Sequence, residues 1–182
     1  MRHIKIIKSI SLIIVLFLIT SCSNKSAMKP EDFKNKEPRL IIEEYLSGNV
    51  KAWGVLQNRS GKVTRQFSAD LNGSWDGKQL ILNEKFNWDD GEIQNREWTI
   101  NKIDEHNYEG TAGDVVGKAK GYSYGPAFKF EYVLLVPVKG KEMKITFDDW
   151  IFMQDEKIAI NRATLTKFRF KVGELTVFFK KN

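Results

Sequence analysis

The residues best equipped for chemistry in this 182-residue chain come in adjacent pairs. Asp148 and Asp149 stand together in "FDDWIFMQDEKIAINR" (147–162), and Asp89 and Asp90 stand together in "FNWDDGE" (86–92). Two carboxyls that converge on one substrate atom can serve as general acid and general base. "GYSYG" (121–125) has the letters of the G-x-S-x-G nucleophile elbow, which needs a strand-to-helix turn and a histidine that follows in the chain. Ser123 has neither, since its surroundings read as strands and His106 precedes it in an expected turn. Cys22 is the one cysteine, so the chain has no soft-metal constellation, and its scattered carboxylates lack EF-hand spacing. No metal, no cofactor and no catalytic residue is expected.

Cys22 carries a different chemistry. Arg2, Lys5 and Lys8 form a positive start, and "ISLIIVLFLIT" (10–20) is an apolar stretch too short to span a bilayer comfortably. It ends in "LITSC" (18–22), which resembles the bacterial lipobox. That resemblance implies a signal peptide over 1–21, cut before Cys22, with diacylglycerol on the thiol and an acyl chain such as palmitate on the new amino group. An ordinary secretory signal with a chance cysteine is the alternative. Ser23 in place of aspartate implies sorting to the outer membrane, facing the periplasm. The leader holds three of the 29 basic residues and no acid, so the remainder has 26 basic against 23 acidic groups. A net charge of +3 and an exported address make nucleic acid an improbable partner.

Residues 22–38, the lipidated cysteine and "SNKSAMKPEDFKNKEP", are polar and carry Pro30 and Pro38. They read as a flexible tether that holds the domain on the order of 20–25 Å from the membrane. The domain is expected over 39–182.

After "LIIEEYL" (40–46), a short helix or an edge strand, turn signals punctuate alternating segments throughout. A three-residue turn at Arg59-Ser60-Gly61 places Trp53 opposite Phe67. A two-residue turn at Asp76-Gly77 sets Phe67 opposite Phe86 and Arg65 opposite Trp88. A turn at Asp89-Asp90-Gly91 sets Glu84 opposite Arg96 and Leu82 opposite Trp98. Further turns at Lys139-Gly140, Asp155-Glu156 and Val172-Gly173 pair Phe130 with Asp149, Asp149 with Arg162 and Phe170 with Leu175. A one-residue slip would reverse every side chain, and these registers agree on one inner face. About ten strands in an antiparallel meander predict an all-β, calycin or lipocalin-like barrel, with a β-sandwich as the other closure. "GSW" (73–75) echoes the G-x-W of lipocalins but lies two strands into the meander.

Successive strand residues face opposite ways, so Asp148 and Asp149 cannot converge on one atom. The inner face then carries charges that need partners. Two buried ion pairs are expected, Glu84 with Arg96 and Asp149 with Arg162, while Arg65 lies against Trp88 near a rim. In one reading these pairs only fix register. In another, Arg65, Arg96 and Arg162 grip a carboxylate or phosphate head while Trp53, Phe67, Phe86, Trp88 and Trp98 line an acyl cavity.

The blocks "AWGVLQNRSGKVTRQF" (52–67), "NEKFNWDDGEIQNREWTI" (83–100), "YEGTAGDVVGKAKG" (108–121), "FDDWIFMQDEKIAINR" (147–162) and "KFRFKVGELTVFF" (167–179) resemble, in order, the bacterial lipoproteins grouped as domain of unknown function 3833. Arg169 stands where the family has glycine, which puts a local bend in question. The resemblance implies a membrane-anchored envelope lipoprotein and supplies no catalytic residue. The expectation is a non-enzymatic barrel that binds or shuttles a fatty acid or phospholipid-derived molecule. The alternative is a structural or partner-binding lipoprotein with a filled core.

Overall fold

Turn chemistry and alternation cut the chain into ten strands, and hydrogen bonding joins them in a ring. The structure, a computed structural model, describes residues 27–182 apart from residue 139, so Cys22 and the leader lie outside the described residues. The strands are β1 (Gly48–Asn58), β2 (Val63–Trp75), β3 (Gln79–Trp88), β4 (Ile93–Lys102), β5 (Asn107–Ala112), β6 (Ala119–Tyr124), β7 (Ala127–Val138), β8 (Lys141–Met153), β9 (Ile158–Lys167) and β10 (Phe170–Lys181). Each pairs antiparallel with its chain neighbour, and β1 pairs with β10. The sheet closes on itself, although 93–97 of β4 has no strand on its β5 side and the loop between β5 and β6 covers that gap. This is the expected calycin-like barrel. Among the described residues the closed ring and its core span 40–181, so the barrel needs nothing outside that stretch to close on itself.

The expected register holds between β3 and β4, where Glu84 faces Arg96, and between β7 and β8, where Phe130 faces Asp149. Between β2 and β3 the turn is longer, because the Asp76 carboxylate accepts hydrogen bonds from the backbone of Lys78 and Gln79 at 2.8 and 2.7 Å. Phe67 therefore opposes Trp88 rather than Phe86, a shift of two that keeps the same face inward.

Two hairpins shift by one, which reverses a face. The Arg59-Ser60-Gly61 turn forms as expected, with Asn58 N–H donating to Lys62 O at 3.0 Å. A bulge between Leu56 and Gln57 then sets Trp53 opposite Ser68, so Trp53 points outward and Gly54 faces Phe67. At the β8–β9 turn, the Asp155 carboxylate accepts from the backbone of Lys157 and Ile158, both at 2.8 Å. That turn holds one residue more than expected, Trp150 pairs with Arg162, and Asp149 pairs with Ala163. The last hairpin turns at Phe168-Arg169, both at positive φ (50° and 68°), and not at Val172-Gly173. A bulge at Gly173 replaces the expected turn there.

One end of the barrel is plugged. A short helix, α1 (Ile42–Tyr45), with its flanks Leu40 and Leu46, is buried in the opening. Ser123 seats this plug by donating from Oγ to Leu40 O at 3.1 Å, and Leu40 N–H donates to Gly125 O at 2.8 Å. The letters of the nucleophile elbow thus serve a latch. Glu43 on the plug is buried and bonded by Lys102 and by the Tyr108 hydroxyl, the latter at 2.9 Å. Residues 30–33 are not the free coil their polarity suggested. Pro30–Phe33 is a 3-10 turn, and Phe33 packs on Trp150 and Phe152 with ring centroids 5.9 and 5.5 Å away.

Candidate functional site

The wall residues that alternate inward leave a space they do not fill. A cavity of about 630 Å³ runs from α1 to the opposite end of the barrel. Ile42 and Leu46 form its floor, and Gln57, Thr64, Glu92, Pro137, Lys167 and Val172 stand at its mouth. The filled core considered from sequence is therefore absent, and the volume falls within the range of small-molecule sites. Glycines thin the wall where rings cross it. A Cβ on Gly110 would lie 2.4 Å from the Phe130 ring.

A polar belt crosses the middle of this apolar lumen. Glu84 on β3 faces Arg96 on β4, with Oε2 and Nη1 3.7 Å apart, an ionic contact too long for a hydrogen bond. Asp114, from the loop between β5 and β6, takes Arg96 by Nε and Nη2 at 3.1 and 2.7 Å. Asp149 accepts from the Tyr132 hydroxyl at 2.8 Å and from the Asn161 amide. All six residues line the cavity.

Burial sets the electrostatics of the belt. It pushes the Glu84 carboxyl up to about 7, against the pull of Arg96. It pushes Asp149 up to about 6, although the hydrogen bonds from Tyr132 and Asn161 act the other way. Burial also raises the Tyr132 hydroxyl, and the Asp149 charge adds to it. Arg96 loses hydration, yet the charge of Glu84 and the bonds to Asp114 outweigh that loss and keep it protonated. A carboxyl that titrates near neutrality is the usual material of acid–base chemistry.

The structure sorts the sequence-derived candidates plainly. Phe67, Phe86, Trp88 and Trp98 line the cavity with Arg65 and Arg96. The Arg65 guanidinium lies 4.0 Å from the Trp88 ring centre and is held at the rim by Asp90 and Glu92, each at 2.8 Å. Trp53 is on the outer wall, 44% exposed, because of the β1 bulge. Arg162 is also outside, paired with Glu174 at 2.9 Å, so the expected ion pair with Asp149 does not form. Asn161 takes the inward place. The three-arginine grip on an anion is lost with it: one arginine is outside and the other two already hold carboxylates. Sequence reasoning missed Asp114 and Asn161. Asp114 carried no signal beyond a glycine-rich segment, and Asn161 hides in the one-residue slip.

No curated protein matches the sequence. Among solved structures, the fold is similar to a protein of unknown function from the DUF3598 family of Nostoc punctiforme, with TM-score 0.60 and 14% identity over 81% of this chain. This chain spans about half of that one, 51%. It is also similar to the S-type phycobiliprotein lyase CPES of Guillardia theta, with TM-score 0.55 and 8% identity, covering 86% of this chain and 94% of the other. At such identities the likeness is one of fold. The sequence itself matches a family model over residues 16–181, nearly its whole length, and the chain belongs to that family, described as Protein of unknown function (DUF3833).

Proposed function

We propose that this protein is a membrane-anchored lipoprotein of the bacterial cell envelope, placed at the outer membrane by acyl chains on Cys22, whose barrel carries an elongated apolar molecule. The observation that supports the cargo is the cavity, about 630 Å³ and lined mostly by Leu, Ile, Val and aromatic side chains. An empty apolar space of that size forfeits packing that a bound chain would restore. The role is binding and transfer rather than catalysis. Glu84 faces Arg96, Asp149 is held by the Asn161 amide and by a Tyr132 hydroxyl that burial keeps protonated, and the described lining offers no serine, cysteine or histidine for either carboxyl to activate. A lyase shares the fold at 8% identity, which leaves the choice to the site itself.

Native mass spectrometry after mild extraction should release a low-mass apolar adduct. Leu56→Trp, which fills the lumen from β1, should abolish it. A persistently empty barrel, or an adduct that survives Leu56→Trp, would overturn the reading.

A further inference from the structure

The polar belt bears on the kind of molecule that fits. Among the charged side chains lining the cavity, Arg65 and Glu92 neutralise each other at the rim and Lys167 stands at the mouth. Deeper in, one guanidinium, Arg96, meets three carboxyls, Glu84, Asp114 and Asp149. Asp114 takes the forked face of Arg96, which leaves Glu84 the 3.7 Å contact with that guanidinium and a pull from the Trp98 side chain. Glu84 Oε2 is buried without a hydrogen-bond donor. A buried acceptor in that state is costly unless something supplies a proton to share.

We infer that the lumen selects an amphiphile whose head carries hydrogen-bond donors and no negative charge, an amine above all, and that Glu84 receives that head while the chain lies along the aromatic wall. This rests on the cargo-binding reading and reverses the polarity of the anion grip that the arginines suggested. A free carboxylate or phosphate would meet surplus acid with no free cation beside it. An ammonium would complete the bonding of Glu84 and reduce the surplus of two negative charges to one.

The test uses residues 27–182, which contain the whole ring and its core, and Nile red, a neutral probe that reports lumen uptake whatever the head preference. Displacement by decylamine, decanol and decanoate is compared at about pH 8, where Glu84 and Asp149 are ionised. Decylamine should displace the dye at least about tenfold more tightly than decanoate, with decanol between, since an unscreened like charge at close range is worth more than that factor. Glu84→Gln should shrink the ratio to about threefold or less, and Asp149→Asn should shrink it in the same direction. Equal or tighter binding of decanoate would overturn the inference alone, as would a ratio unmoved in both variants. No dye uptake would overturn the cargo reading and this inference with it.

A separate observation concerns the rim. Phe168 and Phe170 are 84% and 76% exposed at the tip of the β9–β10 hairpin. They stand in "KFRFK" (167–171), and no acidic residue lies between Glu156 and Glu174. The neighbouring β1–β2 turn adds Arg59 and Lys62, since Asn58 pairs with Gly173. Large rings displayed in water among cations match the chemistry of an anionic bilayer surface, where rings enter the interface and cations meet headgroups. The geometry points to this tip as a membrane-docking element that sets the cavity mouth against anionic lipid.

Residues 27–182 should sediment with vesicles of phosphatidylcholine and phosphatidylglycerol in equal parts, and at least about tenfold less with phosphatidylcholine alone. High salt should weaken the binding, and Phe168→Ser with Phe170→Ser should remove most of it. Equal binding to both vesicles, no binding, or binding unchanged in the double variant would overturn the docking role.

Discussion

Asp114 reaches from the β5–β6 loop to Arg96 on β4 and holds it with Nε at 3.1 Å and Nη2 at 2.7 Å. Below this point β4 pairs with β5, from Trp98 opposite Ala112 downward, and above it β4 keeps β3 on one side and has no strand on the other. The same loop is fastened to β7, with Leu135 N–H donating to Asp114 O at 2.9 Å and Val116 N–H to Val133 O at 2.8 Å. The ion pair therefore closes the seam where the two halves of the barrel part. Asp114→Ala leaves Arg96 half-partnered in a dry site and should cost about 2–4 kcal/mol in denaturant unfolding. The double variant with Arg96→Ala should lose less than the sum of the two singles.

The polar belt also makes stability depend on pH. Glu84 and Asp149 have folded-state values of about 7 and about 6, both above the ordinary carboxyl range because of burial. The folded protein thus binds more protons than the unfolded chain in that window. Their contribution is complete below the unfolded values and is lost as pH rises through about 6 and then about 7. Going from about pH 8 to about pH 5.5 should stabilise the protein by on the order of 2 kcal/mol. The double variant Glu84→Gln, Asp149→Asn should lack most of that slope in thermal unfolding across the same range.

The barrel was legible because hairpin turns announce themselves through Asp, Asn and Gly, and alternation fixes the faces between them. Glu84 opposite Arg96 followed from one turn, whereas Arg65 lies against Trp88 although the pairing that suggested it is shifted by two and Phe67 opposes Trp88. What escaped detection was small in residue count and large in consequence. The bulge at Leu56–Gln57 leaves no mark in composition, yet it turned Trp53 out. The extra turn residue after Met153 exchanged Arg162 for Asn161. Phe168 and Arg169 both adopt positive φ without being glycine, so residue type pointed to the wrong turn. Asp114 depends on a loop crossing between distant strands, which no local pattern encodes.

Gly73 shows how a residue that looked incidental positions the plug. A Cβ there would lie 2.0 Å from the Leu46 carbonyl oxygen, whereas one on Gly54 would lie 2.2 Å from the tip of the Phe67 ring. A ring can turn aside, but the backbone of the plug cannot. Gly73→Ala should cost about 2–4 kcal/mol and Gly54→Ala about 1–3 kcal/mol. Limited proteolysis should cut near Leu40–Leu46 sooner in Gly73→Ala, while Gly54→Ala should keep the plug protected and reduce Nile red uptake by moving Phe67.

The exchange of Arg162 for Asn161 gives the sharpest check of the register. Arg162 has a side chain 66% exposed, and its partner Glu174 is also held by Lys171 at 2.8 Å. Surface pairs of this kind contribute little, so Arg162→Ala should change stability by less than about 1 kcal/mol. Asn161 is buried and bonds both Asp149 and the Trp150 carbonyl, the latter at 3.1 Å. Removing its amide strips a donor from a buried carboxylate, and Asn161→Ala should cost about 2–3 kcal/mol. The loss should be larger at about pH 8 than at about pH 5, because the ionised Asp149 needs that donor and the protonated one does not. Denaturant midpoints at the two pH values measure both effects. A large loss from Arg162→Ala with a small one from Asn161→Ala would return Arg162 to the lumen and shift β9 by one residue.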